Sequence, residues 1–174
     1  MGPDLSNDTL VLKGAPVAIN IKKKLSLDIK ELIYKGITPF LTVILIGNDP
    51  ASKIYVNNKH KIFKKMNCGS KIYHLDKNIE ESKVLELINM LNNDKLVHGI
   101  LVQLPVPKHL NENNIINSIN PNKDVDGLHP MNAGNLLQGK PNFIPCTPYG
   151  CIKILDFYNI DTNGKDIVII GRSN

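Results

Sequence analysis

Aromatic residues make up only 5% of this 174-residue chain, and arginine occurs once, at Arg172. Both shortages argue against a nucleic-acid surface, which stacks bases on aromatic rings and grips phosphates with clustered basic groups. The net charge of +5 does not reverse that conclusion, because the lysines fall in short scattered clusters such as Lys22 to Lys24 and Lys61 to Lys65. A positive field of that modest size favours an anionic small molecule. No apolar run reaches the length of a membrane span. Cys68, Cys146 and Cys151 give neither a metal-ligand spacing nor an even disulfide set, and they fit a reducing compartment. His60, His74, His98, His109 and His129 show no ligand spacing either, so no metal is expected, and His60 is expected on the solvent side of its helix.

What the chain does contain is an alternation of helical and strand patterns, the mark of an α/β layer fold. Ile21, Leu25, Ile29 and Leu32 outline an amphipathic helix closed by Gly36. The apolar run from Leu41 to Ile46 suits a buried parallel strand. A second strand is expected over Lys71 to Leu75, a helix along Val84, Leu85, Ile88 and Leu91, and a third strand over Val97 to Val102. A weaker helix spans about Glu112 to Ile119, and Lys123-Asp124-Val125-Asp126-Gly127 reads as a turn-rich loop. Thr147-Pro148 looks like a cap and first position for a helix through Tyr158, and Asp166 to Ile170 like a strand entering Gly171. A strand that stops at a turn is expected to need more chain, so the sequence reads as one domain plus the opening of a second. Matches to an acylation pattern at Met1-Gly2 and a glycosylation acceptor at Asn7-Asp8-Thr9 are set aside as chance in a leader over residues 1–10.

Three polar residues stand out. Asp49 and Pro50 start a helix running to about Met66, with an inner stripe of Tyr55, Lys59, Ile62 or Phe63, and Met66. A lysine on that face either meets a ligand or snorkels along Tyr55 to water. Gln103 follows the third strand, at the end where open α/β sheets gather ligands, although a glutamine there also commonly caps the strand. Asp126 either closes a tight turn or recognises a flat heterocycle offering adjacent N–H donors.

Together Gly47-Asn48-Asp49-Pro50-Ala51-Ser52, Tyr55-Val56 with Lys59, Gly99 to Pro105, Lys123 to Gly127, Pro145-Cys146-Thr147-Pro148 and Gly171-Arg172-Ser173 resemble the bifunctional methylenetetrahydrofolate dehydrogenase/cyclohydrolase (FolD) family, in order and in spacing. The resemblance implies a three-layer α/β substrate domain with a mostly parallel sheet, followed by a Rossmann-like NADP domain of which only the first strand falls here. It implies a catalytic Lys59 assisted by Gln103 and oriented by Ser52. Tyr55, Val56, Val102, Leu104 and Asp126 would line the tetrahydrofolate site, with Tyr55 along the aminobenzoyl ring and Asp126 on the pterin. Gly171, Arg172 and Ser173 would open the NADP site.

On this reading residues 11–146 form the folate lobe, 147–160 a joining helix and 161–174 the start of the cofactor lobe. Dehydrogenase turnover would then need residues beyond Asn174. A homodimer when full length, no nucleic-acid or membrane partner, and a cytoplasmic or mitochondrial-matrix location complete the expectation. The alternatives are a two-lobe dehydrogenase of shikimate or amino-acid type, or a non-catalytic folate-binding or dimerisation module. Cys146 is read as a small packed residue rather than a nucleophile.

Overall fold

Leu41 to Ile46 are all buried, and the strand they form, β1 (Phe40–Ile46), is the middle of a three-stranded sheet. The computed structural model describes residues 9–171. Along β1 lie β2 (Gly69–Leu75) on one side and β3 (Gly99–Val102) on the other, both parallel to it, with Phe40 opposite Gly69 and Leu41 opposite Gly99. A continuous apolar run can sit there because both faces of the strand are covered.

The period of two along β1 divides its side chains between two cores. Ile44 and Ile46 pack with Val84, Ile88 and Leu91 of α3 (Glu81–Asn93) and Ile115 of α4 (Glu112–Ser118). Leu41, Val43 and Leu45 pack with Val56 of α2 (Pro50–Lys65). The result is the expected three-layer α/β arrangement. In the order β2-β1-β3, α2 leads from β1 to one side and α3 leads back across to the other. The direction of winding therefore reverses between β1 and β3, and a crevice opens at their carboxyl ends.

Several elements differ from expectation. The helix α1 (Gly14–Tyr34) buries only Val17, while Leu25 and Leu32 of the expected stripe are exposed. Its packing partner is α6 (Cys146–Phe157), and a groove of about 410 Å³ lies between them, lined by Val17, Ile21, Lys153 and Phe157. Helix α5 (Pro130–Leu137) was not foreseen; His129 caps it, Nδ1 accepting from the Met131 amide at 3.0 Å, and Pro130 takes the first position. Pro145, not Thr147, stands at the N-cap of α6, so Thr147 and Pro148 fall inside its first turn. The strand expected over Asp166 to Ile170 is absent: the segment is irregular, with Val168 86% and Ile170 96% exposed. A strand needs a neighbour for its backbone N–H and C=O groups, and among the described residues none pairs with this one.

Candidate active site

At the carboxyl end of β1 the chain turns through Gly47, whose φ of +83° suits glycine, and enters α2. Asp49 caps that helix by accepting a hydrogen bond from the Ser52 amide at 2.7 Å. The Ser52 amide, then its hydroxyl, hold the Asp49 carboxyl below the usual carboxylate range. With the first turn fixed, the direction of every later side chain follows from the helical period.

That period keeps Lys59, Phe63 and Met66 of the expected stripe on the inner side but puts Val56 there in place of Tyr55. Ser52 is 5% exposed and Val56 1%, whereas Tyr55 is 64% exposed and Ile62 also lies outside. Lys59, His60, Phe63 and Met66 are half-buried. The expected solvent-facing His60 is thus corrected: its Nδ1 is shielded and has no hydrogen-bond partner. Spacings of three and four allow both stripes, and the β1 side chains select Val56 because it fills their layer.

Gln103 follows β3. Its amide donates to the Ile44 carbonyl at 2.9 Å, joining β3 to β1 at the mouth of the crevice. Its Nε2 donates to the Leu104 carbonyl at 2.8 Å, and Oε1 is shielded without a partner. The amide is therefore held in one orientation with its acceptor unused. Val56 and Val102 have their side chains in the two cores, while Leu104 is half-buried beside Gln103.

The third participant arrives on the loop between α4 and α5. Ile100 donates its amide to the Lys123 carbonyl at 2.7 Å, and Lys123 Nζ donates to the carbonyls of Leu91 at 2.9 Å and Asp94 at 2.7 Å. The loop is stitched to β3, and Asp126 reaches the site half-buried. Burial pushes its carboxyl up, Lys59 pulls it down, Asp124 pushes it up again, and the neighbouring Cys146 thiol pulls it down. Lys59 and Asp126 are thus brought together from different elements.

Three further residues surround this carboxylate: Cys146, expected only to be a small packed residue, Asp124, quoted only as part of the loop, and Asn132, which sequence reasoning missed. The Cys146 thiol donates to the Val125 carbonyl at 3.5 Å, and it is pushed up by desolvation first and then by the Asp126 charge. The residue as a whole is exposed, but the thiol is turned towards the loop, and the shift makes it a poor nucleophile. Asp124 and Asn132 form a buried pair beneath the loop, Nδ2 donating to Oδ2 at 2.8 Å. Nothing in sequence marks Asn132, because it belongs to the unforeseen α5. Gly171 is exposed, and Arg172 and Ser173, like residues 1–8 of the leader, lie outside the described residues. Among the described residues no cluster of His, Cys, Asp or Glu is placed to hold a metal ion, and no helix is long and apolar enough to cross a membrane.

Residues 12–126 match the catalytic domain of tetrahydrofolate dehydrogenase/cyclohydrolase. The chain belongs to this family. Residues 145–174 match the family's NAD(P)-binding domain. The bifunctional protein FolD of Ruminiclostridium cellulolyticum is 48% identical over 164 residues, which cover 94% of this chain and 58% of that protein. The FolD methylenetetrahydrofolate dehydrogenase/cyclohydrolase of Campylobacter jejuni superposes with a TM-score of 0.91 at 47% identity, over 94% of this chain and 58% of that one. The Trypanosoma brucei FolD, solved with NADP cofactor and an inhibitor, gives 0.85 at 30% identity over 90% of this chain and 54% of that one. The chain therefore spans a little over half the length of the relatives it matches.

Proposed function

We propose that this chain carries the folate-binding, proton-transferring lobe of a methylenetetrahydrofolate dehydrogenase/methenyltetrahydrofolate cyclohydrolase in one-carbon metabolism. The observation that carries the reading is the half-buried Lys59 on α2, acting on the half-buried Asp126 at the switch point of the sheet. A cation and an anion within electrostatic reach of one another, on a helix and a loop that follow the strands' carboxyl ends, suit a ligand with a hydrolysable cationic bridge at one end and paired N–H donors at the other.

In the proposed roles, Asp126 accepts from the pterin N–H groups and the exposed ring of Tyr55 packs on the aminobenzoyl group. Hydrolysis of the methenyl bridge adds water at its carbon, releases a proton and opens one carbon–nitrogen bond. One proton of the water is released and the other passes from the added hydroxyl to the nitrogen freed as that bond opens, and Lys59 relays them. Gln103, its Nε2 tied to Leu104, presents a fixed acceptor that orients the lysine. Ser52, buried behind it, keeps the first turn of α2 in place. Val56, Val102 and Leu104 shape the floor of the crevice.

NADP, when bound, supplies the hydride acceptor for the oxidation. Gly171, Arg172 and Ser173 have the chemistry to receive its additional phosphate, a guanidinium and a hydroxyl beside a glycine turn. We read 11–146 as the folate lobe, 147–160 as the joining helix and 161–174 as the start of the cofactor lobe. A homodimer and a cytoplasmic or mitochondrial-matrix location are part of the same reading.

The test is hydrolysis of methenyltetrahydrofolate, followed by loss of the conjugated cation's absorbance, in the native protein and in Lys59→Met. The variant is expected to lose turnover while folate still raises its melting temperature. Normal hydrolysis by Lys59→Met refutes the role of the lysine. Protection of the native protein by shikimate and not by folate refutes the substrate class.

A further inference from the structure

Asn132 is fully buried and Asp124 is 2% exposed, an unusual depth for an amide and a carboxylate. Asn132 Nδ2 donates both to Asp124 Oδ2 at 2.8 Å and to the Pro121 carbonyl at 3.0 Å. The His129 amide donates to the same Oδ2 at 2.8 Å. Asn132 Oδ1 is buried without a partner. A polar group placed this deep is costly, so a network that persists here must fix something.

What it fixes is the loop that ends in Asp126. Asp124 and Asp126 line one small cavity of about 10 Å³ against Ile100, Leu101 and Val102, room for about one water. Asp124 is also the loop residue bridged to β3, through Ile100. One of the two acids is thus anchored by two elements, α5 with its cap and β3, and the other stands half-buried.

We propose that Asp124, locked by Asn132, is a positioning residue for Asp126: its anchored carboxyl fixes the loop, and so fixes where the site carboxylate stands and what stands beside it. The bearing on folate rests on the function proposed above; the coupling between the two acids does not. Three groups act on Asp126 from the elements around it: Lys59 of α2, Cys146 of α6 and Asp124 of its own loop. Lys59 favours the ionised form and Asp124 opposes it. Removing the Asp124 charge therefore lets Asp126 ionise at lower pH.

The experiment is a carboxyl-carbon NMR titration of aspartate-labelled protein, with the Asp126 signal assigned by its loss in Asp126→Asn. In Asp124→Asn the Asp126 midpoint is expected to move to lower pH; a midpoint unmoved or moved upward overturns the proposal. Since the amide introduced by Asp124→Asn has to re-pair with Asn132, the exchange Asp124→Asn with Asn132→Asp serves as a second variant that restores an acid–amide hydrogen bond with the charge displaced. Its midpoint is also expected below that of the native protein, and an unchanged midpoint overturns the proposal even if Asp124→Asn alone does not fold. A purely structural role would lower the midpoint only by loosening the loop and hydrating Asp126, so the midpoint would fall in step with the melting temperature; a lowered midpoint in the exchange variant at a native melting temperature is the coupling's own signature. Folate binding is then measured across the same pH range. If the midpoints behave as expected but folate does not bind, the coupling stands and the folate reading falls.

Discussion

Lys59 on α2 and Asp126 on the loop between α4 and α5 lie within electrostatic reach of one another, and the lysine's charge opposes the effect of burial on the carboxylate. Burial prevails, so Asp126 holds its proton more tightly in the folded chain than its ordinary value of 3.8. By linkage this favours the native state at acid pH, and the contribution is lost as pH rises through the folded value. Asp126→Asn removes a partly buried charge at neutral pH. The variant is expected to melt a few degrees higher than the native protein near neutrality, with the difference shrinking on acidification, while losing folate affinity. Thermal melts across pH, with and without folate, check both halves; a lower melting temperature at neutral pH would contradict the assignment.

The loop that carries Asp126 depends on a close backbone approach. Gly127 has φ +70°, and a Cβ there would come within 2.8 Å of the Pro145 nitrogen and 2.9 Å of the Ile144 carbonyl carbon. Gly139 has a similar φ of +73° with nothing within 4 Å. Gly139→Ala is expected to cost about 1 kcal/mol, for the left-handed backbone alone. Gly127→Ala adds a clash with backbone that cannot rotate away and is expected to cost about 3 kcal/mol, with weaker folate binding. Urea unfolding of the two variants separates the terms.

Where one local rule controlled the outcome, the sequence was readable. Asp49 and Pro50 announced the start of α2, and the unbroken run from Leu41 to Ile46 announced a strand covered on both faces. Tyr55 was placed on the wrong face because stripes through residue 55 or residue 56 satisfy the same period, and only the β1 layer chooses between them. The segment from Asp166 to Ile170 has strand composition, but pairing is a property of a neighbour and not of the segment. Asn132 was invisible for a related reason: its significance lies in Asp124 and Pro121, which only the folded loop brings to it.

Tyr55 also offers a separation of function from stability. Its side chain is 64% exposed, so Tyr55→Ala is expected to change unfolding free energy by no more than about 0.5 kcal/mol. The loss of ring packing against folate is expected to weaken binding by roughly 1 kcal/mol, several-fold in Kd. Ile88, fully buried in the core between sheet and α3, behaves in the opposite way: Ile88→Ala is expected to cost about 2–5 kcal/mol of stability. Calorimetric folate titration beside denaturant unfolding tests the pair. If Tyr55→Ala binds folate as the native protein does, the ring is not part of the site.

The start of α2 governs where Lys59 points, so its cap has a functional consequence. Asp49 is held below the ordinary carboxylate range by the Ser52 amide first and the Ser52 hydroxyl second. A depressed value in the folded state means that the contribution is present above 3.8 and is lost as pH falls through the folded value. Asp49→Asn keeps a cap oxygen for the Ser52 amide but removes the charge near the helix N-terminus, and Asp49→Ala removes both. At neutral pH the melting temperatures are expected in the order native, Asp49→Asn, Asp49→Ala. On acidification the gap between native and Asp49→Asn should close, because the native carboxyl becomes neutral as well. A gap that stays constant through the acid range would show that the charge contributes nothing and that the cap acts through its oxygen alone. On the proposed role of Lys59, cyclohydrolase turnover is expected to fall with Asp49→Ala more than with Asp49→Asn, since loosening the first turn loosens the helix that carries the lysine.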